Sequence, residues 1–539
     1  MLSHLTQVSV MLKRIPEAFW IFFVWLLLTS VSITVRPLFP VDETRYVSVA
    51  WEMWLNHDYW VPHLNGETYS HKPPLLFWLI NLVWAVVGVN ETAIRFIGPL
   101  FSLAGLYLTG QIARLLWPQH PQTMFQVQWV LLGMFLWMLY GSLTMFDMML
   151  ACFALLGIYS VLKLARCGLN WQRWLLLSLA IGGGILSKGP VILLHVLPLA
   201  LLAPWWLERP KNFSWRQWYG GVFVAVLIGA AIALAWAIPA GFKGGEAYRQ
   251  AIFWGQTSGR IVKSFAHQLP WWWYFKWLPL LLLPWLLWRP FWQGLRAIQI
   301  GDTRIRFILA WIVPVIIAFS LISGKRLHYW LPLVPGFALL ISAALTHALA
   351  HREDNRPLGI ALFYGLLGVL LTALPFINQY WPIKAEFSSL SPLWGMGIVA
   401  GAILLLWLRT PKTWIIISVA SVLLFLMIEA AAFSVLGYRY DMAPAAEKIK
   451  QLQNDNIPVV FYIAKYHGQY NFVGRLIQPI PVMQTIASLK KWLEKYPNTV
   501  VLQVVSEDAE MHVLAAYPFK GRRVVFVPAE IFIAQLSGR

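Results

Sequence analysis

Charge is scarce in this 539-residue chain: Asp, Glu, Lys and Arg together make up 12% of it, while hydrophobic residues make up 59%. A water-soluble core of this size could not bury so much apolar surface, so a simple globular class is excluded. Cysteine is nearly absent. Cys152 and Cys167 are the only two, both within or at the inner end of one apolar run, which excludes a disulfide framework or a cysteine metal cluster. Internal repeats are not evident either, which weighs against a transporter built from paired repeats. The formal charge of +19 is not gathered into a basic stripe beside stacking aromatics, so nucleic acid is not the partner.

What the chain has instead is a series of apolar runs of roughly 17 to 24 residues, the length a helix needs to cross a hydrocarbon core of about 30 Å. Basic residues mark the inner loops: Arg114; Lys163, Arg166 and Arg173; Arg209, Lys211 and Arg216; Arg289, Arg296 and Arg304; Arg352 and Arg356; Arg409 and Lys412. Residues 17–35 follow Lys13 and Arg14 without a small-residue cleavage site, and are read as an uncleaved first span. Charge parity holds only if Pro73 to Gly88, short and opened by two prolines, lies along or dips into the membrane with both ends outside. The expectation is a polytopic α-helical membrane protein with about 13 spans and an outer C-terminus. Beyond Tyr438 the pattern changes. Strand-like 458–463, 500–505 and 523–528 alternate with helix-like 444–453 and 487–496. The division expected is a membrane domain over 1–439 and a small α/β domain over 440–539, to which no chemistry is assigned.

Ionisable groups near a bilayer cost roughly 2.5 to 3.5 kcal/mol at a helix centre, and here they cluster on the outer face. Asp42-Glu43-Thr44-Arg45-Tyr46 follows the first span. Asp42 is placed to serve an acceptor, with Arg45 three residues on along the same helix face; the structural alternative is an N-cap. Lys72 in Tyr69-Ser70-His71-Lys72-Pro73-Pro74 suits a lipid phosphate or ordinary snorkelling. Asp147 opens the 147–165 span, where an ion pair with Arg45 or Arg95 is its structural alternative. Gly182-Gly183-Gly184-Ile185-Leu186-Ser187-Lys188-Gly189-Pro190 lacks nucleotide-loop spacing and a preceding strand; it reads as a tight outer turn presenting Lys188 as a point charge for phosphate or as a snorkelling residue. The outer loop 240–272 carries Arg249, Arg260, Lys263 and His267 before Trp271-Trp272-Trp273-Tyr274, and Lys325, Arg326 and His328 follow in the next. Aromatics there form an interfacial belt or wall a polyprenyl groove; so many outer cations, against the usual bias, call for an anionic ligand or a solvated face.

A tail-binding groove, fixed cations and an acidic residue are what a polyprenyl-phosphate sugar donor requires. Charge stabilisation of the departing phosphate by Lys72, Lys188, Arg260 or Lys325 would be the main catalytic contribution. At these residues the sequence resembles the GT-C membrane glycosyltransferases, in the branch of the protein O-mannosyltransferases and the bacterial lipid A aminoarabinose transferases. The resemblance covers roughly residues 17–345 and rests on Asp42-Glu43-Thr44-Arg45-Tyr46, Lys72-Pro73-Pro74-Leu75, Asp147, Ser187-Lys188-Gly189-Pro190, Arg260 and His267. It implies a GT-C fold with in-plane helices in the first outer loop and an outer C-terminal domain. It also implies an inverting transfer from a polyprenyl (undecaprenyl) phosphate sugar to lipid A, another glycan or a protein hydroxyl. Asp42 and Asp147 would be catalytic, and Lys72, Lys188, Arg260, Arg45 and Lys325 would hold the donor phosphate. At His71 the chain departs from the aminoarabinose branch, which commonly has glutamate before Lys-Pro-Pro. In that branch a glutamate and an outer-loop histidine can hold a metal; His71 with His267 is the counterpart, and a metal-free site is the preferred expectation. A transporter of polyprenyl lipids without chemistry is the competing class. The site is expected on the periplasmic face of an inner membrane.

Overall fold

The computed structural model describes residues 16–209, 213–255, 269–349, 355–381, 383–408, 410, 412–463 and 465–537. The chain divides into two compact units, each assembled from separated stretches. One comprises 1–33, 91–238 and 250–431; the other comprises 34–90, 239–249 and 432–539.

The first unit is helical. Eight helices of the chain are long and apolar enough to cross a membrane, and the pair Gln122–Leu132 and Phe135–Gly141, bent by 73°, makes a ninth span if counted together. Three further apolar helices among the described residues, Leu75–Val87, Ile192–Leu201 and Leu393–Trp407, are shorter than a full span. The protein is a multi-pass membrane protein. Prolines account for two of the irregular segments: Pro198 sits inside the 192–201 helix, and Pro279 and Pro284 break the run that follows Trp271, because each removes a backbone donor and crowds the preceding turn. Helices pack closely where side chains are small. A Cβ on Gly294 would lie 1.8 Å from the Ala344 carbonyl oxygen, so only glycine fits there.

The triglycine at 182–184 is explained in the same way. These residues are not in an outer turn but inside the Trp171–Lys188 helix, where added Cβ atoms would strike Ile232, Phe153 and Ile192. They are contact surface for neighbouring helices, and only Gly189 and Pro190 make the turn.

The second unit begins with the helix Asp42–Asn56, whose C-terminal residue is followed by His57 in the left-handed conformation. A two-strand hairpin, β1 (His63–Leu64) with β2 (Glu67–Thr68), turns through Asn65 and Gly66, both at positive φ, the pair that a two-residue turn of this hand favours. The helix Leu75–Val87 follows. Its 13 residues extend about 20 Å, too short to span the bilayer, in keeping with the in-plane expectation.

The rest of this unit is a three-layer α/β fold. Its sheet runs β4 (Val482–Met483), β3 (Val459–Tyr462), β5 (Val500–Val505), β7 (Arg522–Pro528), β6 (Ala515–Phe519). β3 pairs parallel with β4 and β5; the β5–β7 and β6–β7 pairs are antiparallel. Alternate residues of β3 face opposite ways. Val459 and Phe461 join the core under the helix Ala443–Asn454, whereas Val460 and Tyr462 join the other face with Leu489, Leu493 and Phe532. The strands at 459–462, 500–505 and 522–528 and helices at 443–454 and 486–495 match the sequence expectation within a residue or two. β4 and β6 were not foreseen, since β4 is two residues long and β6 holds Pro518.

Candidate functional site

The expected site residues fall into two groups, one within each unit. In the second unit, Asp42 opens the 42–56 helix but is not its N-cap. That position is Val41, which offers no side-chain bond, so the capping alternative for Asp42 does not hold. Its carboxylate accepts from Arg45 Nη2 and lies 3.5 Å from the Tyr46 hydroxyl, and its side chain remains 35% exposed. A carboxylate that is oriented yet open can meet a ligand. The next residue does the opposite: Glu43 is buried, accepting from Arg36 Nη1 at 2.7 Å and from the Phe39 amide at 2.9 Å. Glu43 closes the turn that presents Asp42, since removing either charge of a buried pair strands the other.

Arg45 is mostly buried. Burial works against its charge, but Tyr69, Tyr46 and Asp42 more than offset this and its pKa is raised. The Tyr69 ring in turn lies 5.3 Å from His71 and 6.1 Å from Phe77. Thus the segment carrying His71 and Lys72 is anchored by Tyr69 within electrostatic range of Arg45. Lys72 is half-buried at the entrance to the 75–87 helix.

In the first unit, Asp147 lies in the first turn of Phe146–Cys167, and Lys188 is the last residue of Trp171–Lys188. Helix dipoles favour an anion at the first position and a cation at the second. The two side chains form an ion pair, 5% and 12% exposed, and His328 Nε2 stands 3.7 Å from the same carboxylate oxygen. Lys188 is thus an ion-pair partner of Asp147 beyond the Arg45 or Arg95 considered from sequence; Arg95 lies 3.8 Å from Glu91. Lys188 Nζ also sits 4.8 Å over the Tyr329 ring, and Tyr140 Oη lies 3.4 Å from His328 Nδ1. Lys325 is buried, donating to the carbonyls of Leu269 at 3.0 Å and Ile322 at 2.5 Å. Its ammonium is largely committed to bracing the loop. Arg260 and His267, with Lys263, lie outside the described residues. Among the described residues no three His, Cys, Asp or Glu side chains gather as metal ligands.

Sequence reasoning noted His328 only among the outer-loop cations and Tyr69 only as part of the Lys72 segment, and passed over Tyr140, Tyr329 and His467. His328 and Tyr329 stand in Lys325-Arg326-Leu327-His328-Tyr329-Trp330, a loop noted for its cations. Their convergence on Asp147 and Lys188 depends on helix packing that spacing does not encode. His467 lies 422 positions from Arg45, with its Nδ1 3.4 Å from Arg45 Nη1.

The chain is similar in fold to a solved structure of ArnT from Cupriavidus metallidurans, with a TM-score of 0.73 at 18% identity over 95% of this chain and 98% of that one. The two chains share one fold. Residues 71–237 match the family model described as dolichyl-phosphate-mannose-protein mannosyltransferase. An undecaprenyl phosphate-alpha-4-amino-4-deoxy-L-arabinose arabinosyl transferase 2 of Pseudomonas fluorescens is 30% identical over 62% of this chain, and the chain spans about 60% of that relative's length. The corresponding transferase of Pseudomonas paraeruginosa is 28% identical over 72% of this chain and 71% of its own. The GT-C resemblance drawn from the outer-face motifs is supported on both counts, by fold and by relatives.

Proposed function

We propose that this protein is a GT-C glycosyltransferase that transfers a sugar, of the 4-amino-4-deoxy-L-arabinose type, from undecaprenyl phosphate to lipid A or another acceptor on the periplasmic face of the inner membrane. The observation that carries the reading is Asp42: a carboxylate one-third exposed, held at the first turn of a helix between the Arg45 guanidinium and the Tyr46 phenol. The names of the relatives supply the donor and sugar class.

In this reading an acceptor oxygen attacks the anomeric carbon while the bond from that carbon to the polyprenyl-phosphate oxygen breaks, and the bonding pair leaves with the phosphate. One displacement inverts the centre. Lys72 and Arg45, in the same unit as Asp42, stabilise the departing phosphate, since fixed cations in a water-poor site cost little reorganisation as charge develops; Lys188 and Arg260 are the phosphate-binding cations proposed for the other unit. Lys325 belongs to the same outer-face cation set, acting chiefly through the loop it braces. Asp42 orients the acceptor, and takes its proton where the acceptor is a hydroxyl. Asp147 holds Lys188 in place and is the second acidic group of the mechanism. Side chains carry the charge stabilisation, and no metal is required.

The test is transfer from synthetic undecaprenyl-phosphate aminoarabinose to lipid A by the purified protein, followed by mass spectrometry alongside Asp42→Asn. Sugar on lipid A with wild type and its loss in the variant are the expected results. Intact donor with lipid A, with a serine or threonine peptide and with cell-envelope extract would sink the enzymatic reading in favour of lipid transport.

A further inference from the structure

The sequence gives the C-terminal α/β segment no chemistry, yet one of its loops reaches the proposed catalytic helix. Arg45, Ser48 and Glu52 stand three and four residues apart, so they share one face of the 42–56 helix, and each meets the segment 467–472. Ser48 Oγ donates to the Gly468 carbonyl at 2.6 Å and accepts from the Phe472 amide at 3.1 Å; both bonds are buried. Asn471 Nδ2 donates to Glu52 Oε1 at 3.2 Å, and Trp51 Nε1 donates to the Leu476 carbonyl at 2.9 Å. Gly468, at φ +68°, passes so near Leu64 that a Cβ would lie 2.3 Å from its Cδ1. The loop is clamped, and the clamp leaves His467 over Arg45, with Nδ1 3.4 Å from Nη1.

We infer that His467 is a positioning residue: its bare Nδ1 accepts from Arg45 Nη1 while Asp42 takes Nη2, so the guanidinium is fixed from both ends before the donor phosphate arrives. The bond requires a neutral imidazole with its proton on Nε2, because the doubly protonated ring has no acceptor. The surroundings favour that form. Burial and the neighbouring Arg45 push the His467 pKa down to about 4, so the ring is neutral at pH 7. An arginine otherwise loses much rotamer freedom when it engages an anion; one already held meets its ligand at lower cost. This makes the C-terminal segment a working part of the site and not an appendage. The inference rests on the reading of Arg45 as a donor-phosphate cation.

Full-length protein in detergent is compared as wild type, His467→Ala and His467→Gln for binding of undecaprenyl phosphate alone and for transfer to lipid A, with melting temperature as a fold control. Glutamine retains an acceptor oxygen. The alanine variant is expected to bind undecaprenyl phosphate about tenfold more weakly and to lose kcat/KM to a similar degree. The glutamine variant should stay within about threefold of wild type on both measures. If the alanine variant does not accumulate folded, His467→Met against His467→Gln asks the same question, since both fill the site and only one accepts a hydrogen bond. Wild-type binding in the alanine variant, or equal impairment in alanine and glutamine, overturns the inference. Wild type that binds undecaprenyl phosphate but transfers nothing sinks the transfer reading alone, and the binding comparison still decides the role of His467. Absence of binding in wild type overturns both.

Discussion

Removing the lysine of the Asp147–Lys188 pair should destabilise the membrane unit far more than removing both partners. Lys188→Met takes from Asp147, 5% exposed, the ion-pair partner at its carboxylate, where His328 Nε2 stands 3.7 Å from the same oxygen. Two unit charges about 4 Å apart interact by about 4 kcal/mol at an effective dielectric near 20, and breaking buried pairs by removing one partner costs about 3–5 kcal/mol. The lower end of that range, about 3 kcal/mol, is the working figure. At roughly 2 °C per kcal/mol for a unit of this size, the melting temperature should fall by about 6 °C. Asp147→Asn/Lys188→Met, with no stranded charge, should melt within about 2 °C of wild type. Cys152 reports this locally: it is buried in the same helix as Asp147, while Cys167 is exposed. In a Cys167→Ser background, a thiol-reactive dye therefore follows the opening of that helix. The double variant should remain inactive in sugar transfer despite its recovered stability, because the phosphate would lack its cation. A double variant that melts as low as the sum of the singles would refute the stranded-charge argument, and one that transfers sugar normally would refute the functional assignment of Lys188.

Ser48→Ala should loosen the clamp under His467, taking from the buried Phe472 amide its Ser48 acceptor at about 1–3 kcal/mol and leaving the Gly468 carbonyl its bond from the Asn471 amide; proteolysis should then cut near 467–472 faster than in wild type. Gly468→Ala combines positive φ with a clash against Leu64, and should lower melting temperature and transfer together. His467 titrates lower in the folded protein, so its contribution to stability is fully present above its unfolded pKa of about 6.5 and is lost as pH falls toward about 4. The difference in melting temperature between wild type and His467→Gln should accordingly shift against wild type across that window, and a difference independent of pH would count against the assignment. Chelation with EDTA should leave transfer unchanged; activity lost and restored by zinc would overturn the metal-free expectation.

Membrane class, the apolar segments and the strands at 459–462, 500–505 and 522–528 were legible because they depend on local chemistry. Apolar run length is set by bilayer thickness, and a buried strand shows itself as a short apolar run between turn signals. The outer-face motifs were legible for a related reason: an ionisable group beside a bilayer is costly enough to need a purpose. Asp42, Arg45, Lys72, Asp147 and Lys188 stood out on that ground alone.

Which of these groups meet was not legible. Spacing suggested Arg45 or Arg95 for Asp147 and gave no sign of Lys188, which the packing of the 146–167 and 171–188 helices delivered, or of His328 beside it. The triglycine read as a loop because glycine marks both turns and close helix contacts, and only the positions of Phe153, Ile192 and Ile232 distinguish them. His467 was invisible: a histidine in an α/β segment acquires meaning only when the loop holding it is bonded to Ser48, more than 400 residues earlier in the chain. Solvent and lipid impose their demands on each stretch separately, so the sequence alone determined what lies in the membrane and which residues the membrane makes conspicuous. Hydrogen bonds and ion pairs between distant stretches are set by three-dimensional packing, so only the tertiary structure decided the partners of those residues.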